Sequence, residues 1–531
     1  MTAIWRRFDA PAPKGDAIIQ ASRYSIATQT WSTPVDLSSA GRESQAQRLG
    51  IDPAGNVVAV WRRNNGETVN NDGVTPISIV QASLFTPTSG GGGTWGAARD
   101  LSAPGQTAIA PSADVDNSGN VIAVWARNNG SVPVIQASRS VELGGFTAVP
   151  PVRVFDTRPG ESPEALRVVD KVKVGGTYEL TVNMAALPGN VTPAANLIGA
   201  VSLNVTVSAP DAPGFVTVYP CANKSEVSNV NFVAGQTVAN AVITPIAADG
   251  RVCFFSNTPT HIIADLNGYF PANSGYTAVA PKRVFDTRPG ESSDALLSAV
   301  PKSQIGGTTE LRIPMTSLPG GVTPANGVGA VSLNVTVNNP AASGFVTVYP
   351  CGKRELVSSV NYVAGQTVAN AVIAPVSTSG EVCFFSNVNT HVIVDINGWF
   401  PTSSSYAPAL VPARVFDTRA SESPNALRAV TKTKIGGTTE LRVQMTNLKD
   451  ITPPNGVSAV ALNVTVTNPD GPGFITVYPC NARGLVSSVN FVAGQTVANA
   501  VIAPVSAAGE VCFFSNIATD LLVDINGYFA S

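Results

Sequence analysis

The sequence predicts an all-β chain: three tandem antiparallel β-sandwich modules, jelly-roll-like, preceded by two to three units resembling propeller blades. Three observations lead there. Long segments recur three times at a nearly fixed period, apolar residues alternate with polar ones, and no amphipathic helical stretch of useful length appears. The low charge, 13% of 531 residues, and ample Val and Ile argue against disorder. A formal net charge of -2 offers no field for a phosphate backbone, so nucleic acid is not an expected partner.

The N-terminal region, 1–145, holds five of the six tryptophans: Trp5, Trp31, Trp61, Trp95 and Trp125. DPAGNVVAVWRRNNG from Asp52 matches DNSGNVIAVWARNNG from Asp116, and IIQASR, IVQAS and VIQASR follow the Trp-containing strands. This is the order of a four-stranded blade. A closed propeller needs at least about four blades, and Ala3-Ile4-Trp5 matches Ala59-Val60-Trp61, so the chain starts inside a unit. The expectation is a truncated start or a protein partner that completes the propeller.

The modules span 146–270, 276–400 and 406–529. RVFDTR begins at Arg153, Arg283 and Arg414, and VAGQTVANAVI recurs unchanged from Val233, Val363 and Val492. Within the first, RVFDTR, YELTVN, AVSLNVTV, GFVTVYPC, SNVNFVAG, TVANAVITPI, VCFFSN and HIIADLNGYF read as eight strands. Val201, Leu203, Val205 and Val207 alternate with Ser202, Asn204 and Thr206, the period of a half-buried strand. Gly-Gly at 175–176 and Asn-Gly at 267–268, with their equivalents, mark turns or bulges. The polar links PANSG (271–275) and PTSSS (401–405) are short, which predicts a semi-rigid rod of three beads.

Each module carries two cysteines 32 residues apart, and the N-terminal region carries none. The simplest pairing is a disulfide within each module: Cys221–Cys253, Cys351–Cys383 and Cys480–Cys512. Buried free thiols are the rival, and a metal site is disfavoured because two Cys with no steady His fall short of four zinc ligands. Disulfides imply an oxidising place outside the cytoplasm. Residues 1–20 show no secretory signal, and no apolar run is long enough to span a membrane.

With RVFDTRPGES, NVTV, GFVTVYPC, VNFVAGQTVANAVI and DINGYF together, the modules resemble a tandem repeat common in secreted and cell-surface proteins of actinobacteria. The units with DPAGNVVAVW and IIQASR look like secreted bacterial propeller-type repeats. These resemblances imply location and architecture, not an activity.

Candidates for chemistry are few. A Ser-His-Asp site needs a histidine base, yet only His261 and His391 exist and Asp520 stands in the third equivalent place, so no catalytic residue is assigned. The run GGGTWG (91–96) matches a nucleotide-binding spacing without the surrounding βαβ unit and reads as a hairpin loop. Asp156-Thr157-Arg158, Asp286-Thr287-Arg288 and Asp417-Thr418-Arg419 are the most conspicuous polar clusters. Arginine there could clamp a carboxylate or sugar hydroxyls, or pair structurally with Asp265, Asp395 or Asp524. Asp265-Leu266-Asn267-Gly268 starts like a calcium loop without its later ligands and reads as a strand end and turn. Asn204, Asn334 and Asn463 have the sequon form inside predicted strands. Trp399, where Tyr269 and Tyr528 stand in the other modules, is a candidate sugar-stacking ring. No cofactor or metal is expected. The reading is a non-enzymatic extracellular or surface protein for adhesion, glycan binding or use as a stalk, with cell-wall or surface glycans as partners. Alternatives are a phage virion appendage and the non-catalytic part of a larger secreted hydrolase.

Overall fold

The computed structural model describes all residues except 11–14, 26–28, 52–56, 69–75, 88–92, 97, 104, 116–120, 129–131, 141–144, 222–223, 225–226, 273, 308, 353, 355–356, 403, 438 and 531, and the side chains of 86–87, 93–94 and 138–140. The segments DPAGN and DNSGN, read from the sequence as hairpin turns with Asp first and Gly in the left-handed region, lie outside the described residues. The chain divides into two compact units, Met1–Leu143 and Gly144–Ser531.

The first unit contains three antiparallel sheets. Strands β1 (Thr2–Phe8), β2 (Ala17–Ser25), β3 (Thr30–Trp31) and β4 (Val35–Asp36) form one, with β3 and β4 both on the far edge of β2. β5 (Gln45–Ile51), β6 (Val57–Thr68), β7 (Pro76–Pro87), β8 (Gly93–Trp95) and β9 (Arg99–Asp100) form the second. β10 (Ala108–Val115), β11 (Val121–Asn128) and β12 (Pro133–Ser140) form the third. Part of the expected glycine-rich loop is therefore strand β8.

The repeats align the same cross-strand pair three times: Trp5 with Gln20, Trp61 with Gln81 and Trp125 with Gln136. In the latter two sheets the indole N–H donates to the glutamine oxygen, at 3.2 and 3.1 Å, which satisfies a polar group that burial would otherwise leave costly. The sheets stack through small apolar cores, Ile19 and Ala21 against Ala59 and Trp61, then Val58 and Val80 against Ala123 and Trp125.

The second unit holds the three modules. Strands of the first are β13 (Thr147–Asp156), β14 (Leu180–Asn183), β15 (Ile198–Ser208), β16 (Gly214–Pro220), β17 (Val230–Phe232), β18 (Val238–Pro245), β19 (Arg251–Ser256) and β20 (His261–Pro271). All eight coincide with the eight expected runs. They pair as β13-β20-β15-β18 and β14-β19-β16-β17, two four-stranded antiparallel sheets in jelly-roll order, and the other two modules repeat this. Between the sheets, Val201, Leu203, Val205 and Val207 meet Val216, Val218, Val252 and Phe254. Burying one such side chain contributes about 1.5–3 kcal/mol, so the core outweighs the single disulfide of each module.

The expected rod is not what forms. The modules close cyclically: β18 packs on strand Thr277–Asp286 of the second module, Thr367–Pro375 on Tyr406–Asp417 of the third, and Val497–Pro504 back on β13. At the centre Phe146, Phe270, Tyr276, Phe400, Tyr406 and Phe529 form one aromatic hub, each module contributing two rings. Asn267-Gly268, expected as a turn or a bulge, lies within a strand. It is a bulge inside β20, where Ser202 pairs with Gly268 and Leu203 with Leu266. Gly268 has φ of 152°, and a Cβ there would lie 2.4 Å from the Phe146 ring, so glycine admits the hub ring to the backbone. Each short link runs between two hub rings, Phe270 to Tyr276 and Phe400 to Tyr406, which removes the freedom a rod would need.

Candidate functional site

The DTR clusters are corners of the sandwiches. Asp156 ends β13 and is fully buried. Its Oδ1 accepts the Arg158 backbone N–H at 2.9 Å and Nε at 3.1 Å; its Oδ2 accepts Arg158 Nη2 and the Ser162 hydroxyl, both at 2.7 Å. Burial would raise this carboxyl, but the hydrogen bonds from Arg158 and Ser162 outweigh it and hold the pKa below the ordinary value. Arg153 bridges to the buried Asp265 across the β13–β20 pair. Asp286 with Arg288 and Asp417 with Arg419 repeat the arrangement. Both oxygens of Asp156, Asp286 and Asp417 are thus engaged by protein donors, as the structural of the two readings expects, whereas Oδ2 of the buried Asp265 and Asp395 has no hydrogen-bond partner among the described residues. Only an edge of each guanidinium, Arg158 at 32% exposure, faces outward.

The histidines belong to the same corners. His261 Nδ1 lies 3.2 Å from the Thr157 hydroxyl, which also accepts the Ile262 N–H at 2.9 Å. His391 repeats this with Thr287, and in the third module Thr418 donates to Asp520 instead. Histidine and aspartate therefore serve alike as partners of a buried threonine, and the histidines are half-buried rather than solvent-facing. Trp399 packs against the core of its module and stays partly exposed, as Tyr269 and Tyr528 do in theirs.

The three expected disulfides are present. Disulfides of this number suit a chain that folds in an oxidising, extracellular setting. Glu310 comes close to Cys351 and Cys383, but both sulfurs are committed to each other. No helix among the described residues is long and apolar enough to cross a membrane.

The module seams use residues that read as surface in the sequence. Asn240 donates to Asn334 Oδ1 at 2.9 Å, Asn370 to Asn463 at 2.8 Å and Asn499 to Asn204 at 2.8 Å. Each donor asparagine also bonds within its own module, Asn240 to the Asn229 carbonyl at 2.6 Å, and accepts a backbone N–H from a neighbour, Asn240 from Ala371 at 3.1 Å. The sequon asparagines Asn204, Asn334 and Asn463 are buried here, with no room for a glycan. Beside them lie Asp265, Asp395 and Asp524, the register partners of those asparagines. Burial pushes Asp265 and Asp395 up to about 6, against Arg153 and Arg283, and raises Asp524 likewise.

The outward sheet of each module shows a feature that the sequence reading missed. The Lys224 ammonium lies 3.4 Å from the Phe255 ring centroid, Arg354 3.9 Å from Phe385, and Arg483 4.1 Å from Phe514. The cations are exposed and the rings half-buried, with Phe255 and Phe514 packed beside the disulfides of their modules. The alternation in VCFFSN, whose second Phe points away from the core, was the available signal.

No protein-family model matches the chain, and no curated protein matches it. Solved structures with partial likeness include a GH32 beta-fructofuranosidase of Bombyx mori, at 9% identity over 51% of this chain and 64% of that one, with a TM-score of 0.17. The chain thus spans less than two thirds of that enzyme. A structure described as the triple jelly roll fold and turret assembly in an archaeal virus shares 9% identity over 73% and 91%, with a TM-score of 0.18. An exo-beta-1,3-galactanase from Phanerochaete chrysosporium shares 10% over 74% and 93%, with a TM-score of 0.17. Overlaps this weak carry no argument about chemistry.

Proposed function

We propose that the chain is a non-enzymatic extracellular or cell-surface protein that binds its target, in adhesion or glycan recognition, through three equivalent outward faces. One observation carries the reading: the modules close into a ring in which the repeated polar residues bond to one another, while the cation over a ring recurs outward in each module. Three equal faces on one body multiply weak contacts through effective concentration. A ring adds little reach, so presentation of these faces fits better than a stalk. The exposed cations favour anionic groups on the glycan.

The test is retention on insoluble cell walls and on a glycan array. Replacing Lys224, Arg354 and Arg483 together by Ala is expected to abolish retention, whereas any single replacement weakens it only slightly. Absence of retention on every surface would remove the binding role. A second reading, a virion appendage, is favoured by the threefold closure, since one chain here builds a body with three like sides. Tail or capsid genes adjoining this one are its expected sign.

A further inference from the structure

The sheets of the first unit stack by one contact, made twice within the chain. Each sheet has a face that carries its tryptophan and a face that carries the aliphatic residue before its glutamine. Ile4 and Ile19 of the first sheet meet Trp61 of the second. Val58 and Val80 of the second meet Trp125 of the third. Both faces of the middle sheet are therefore dry, with Trp61 and Val80 each at 0% exposure.

The two outermost faces are the same surfaces without a neighbour among the described residues. Trp5 is the counterpart of Trp61 and Trp31 that of Trp95. Trp31 is 51% exposed, and with Ala3, Trp5 and Pro34 it lines a groove of about 320 Å³. At the other end, Ile122 and Ile135 are the counterparts of Val58 and Val80. They are 50% and 77% exposed, where their equivalents are fully covered. Apolar surface left open in this way marks an interaction site.

We propose that the chain forms a homodimer in which the Ile122 and Ile135 face of one copy seats in the Trp5 and Trp31 groove of the other, and reciprocally, closing a ring of six sheets. The repeat names the occupant. In both stacks already present, the tryptophan face is filled by the aliphatic face of the same repeat, and a second copy supplies the missing partner at both ends. The described sheets agree with this, because closed propellers take about four to eight blades, and two copies of the three sheets described in Met1–Leu143 make six. Three copies would exceed that range. A head-to-tail contact stays finite only when it closes, and two copies close it.

Native mass spectrometry and sedimentation equilibrium of the full chain test this. The expected species has twice the 54.6 kDa chain mass. Ile135→Asp is expected to return it to monomer while leaving the unfolding profile of the disulfide-bonded unit unchanged. Trp31→Glu breaks the same contact from the other face, and covers the case in which Ile135→Asp does not fold. A monomeric unsubstituted chain, an open-ended series of larger species, or a dimer that survives whichever of these variants fold overturns the proposal.

Discussion

Both units of this protein repeat a β building block about three times, yet one closes upon itself and the other leaves two apolar faces open. The difference lies in what the repeats put at their joints. In Met1–Leu143 successive sheets meet through apolar contacts that each call for a further sheet, so the three described sheets leave two outer faces open. In Gly144–Ser531 every module offers the same donor and acceptor asparagines, and three copies satisfy one another with none left over. Polar joints of fixed geometry set both the number of repeats and the point of closure.

The strongest way to break this contrast is reduction. Each disulfide closes a loop of 32 residues and contributes about 3–4 kcal/mol in the chain-entropy model. Under reductant, calorimetry is expected to show a large downward shift of the module transition and no shift in the cysteine-free unit. Equal shifts in both would mean that the units do not unfold separately.

The seam is next. Asn240→Leu leaves the Asn334 oxygen, the Asn229 carbonyl and the Ala371 N–H without their partner, at a cost of at least about 3 kcal/mol, since each unsatisfied buried group costs about 1–3 kcal/mol. Faster proteolysis within 271–275 is the expected sign that the ring has opened. Unchanged cleavage would show that the hub alone holds it.

A smaller effect comes from pH. Asp265 and Asp395 have folded pKa values raised to about 6, so the stability they contribute is fully present below the ordinary carboxylate range and is lost as pH rises through about 6. Asp156, Asp286 and Asp417 are lowered, and their contribution is present above that range and lost as pH falls further. The module transition is therefore expected at its highest temperature near pH 4, and Asp265→Asn should flatten the fall between about 4 and 6. A transition that climbs steadily from pH 4 to 7 would contradict the assignment. The smallest effect belongs to Trp399→Tyr, which restores the residue of the other two modules and should cost under about 1.5 kcal/mol in a melting scan.

Strands, module number, jelly-roll class and cysteine pairing were legible because each leaves a local or strictly periodic trace. Closure of the ring was not. Ser202, Asn204 and Thr206 alternate with valines and leucine as a solvent-facing row does, yet all three are buried, because the polar face of β15 lies against another module. Periodicity reports that two faces differ; it does not report what the polar one touches. The DTR corners were legible as a choice between ligand and ion pair, and the structure shows the ion pair, with both oxygens of the fully buried Asp156 occupied and Arg158 partly exposed. The ring–cation pairs escaped notice since Lys224, Arg354 and Arg483 sit in a loop of differing sequence in each module.

The hub also sets how the modular unit answers to force. Phe146 opens the first module and Phe529 closes the third, and their rings lie 5.1 Å apart. Three seams share only two peptide links, so a pull between the ends loads the unlinked seam, Asn499 to Asn204, before it stretches any module. The unit then behaves as a clasp with a single catch: it holds or springs open at one place, and its three cores are spared until that catch has failed.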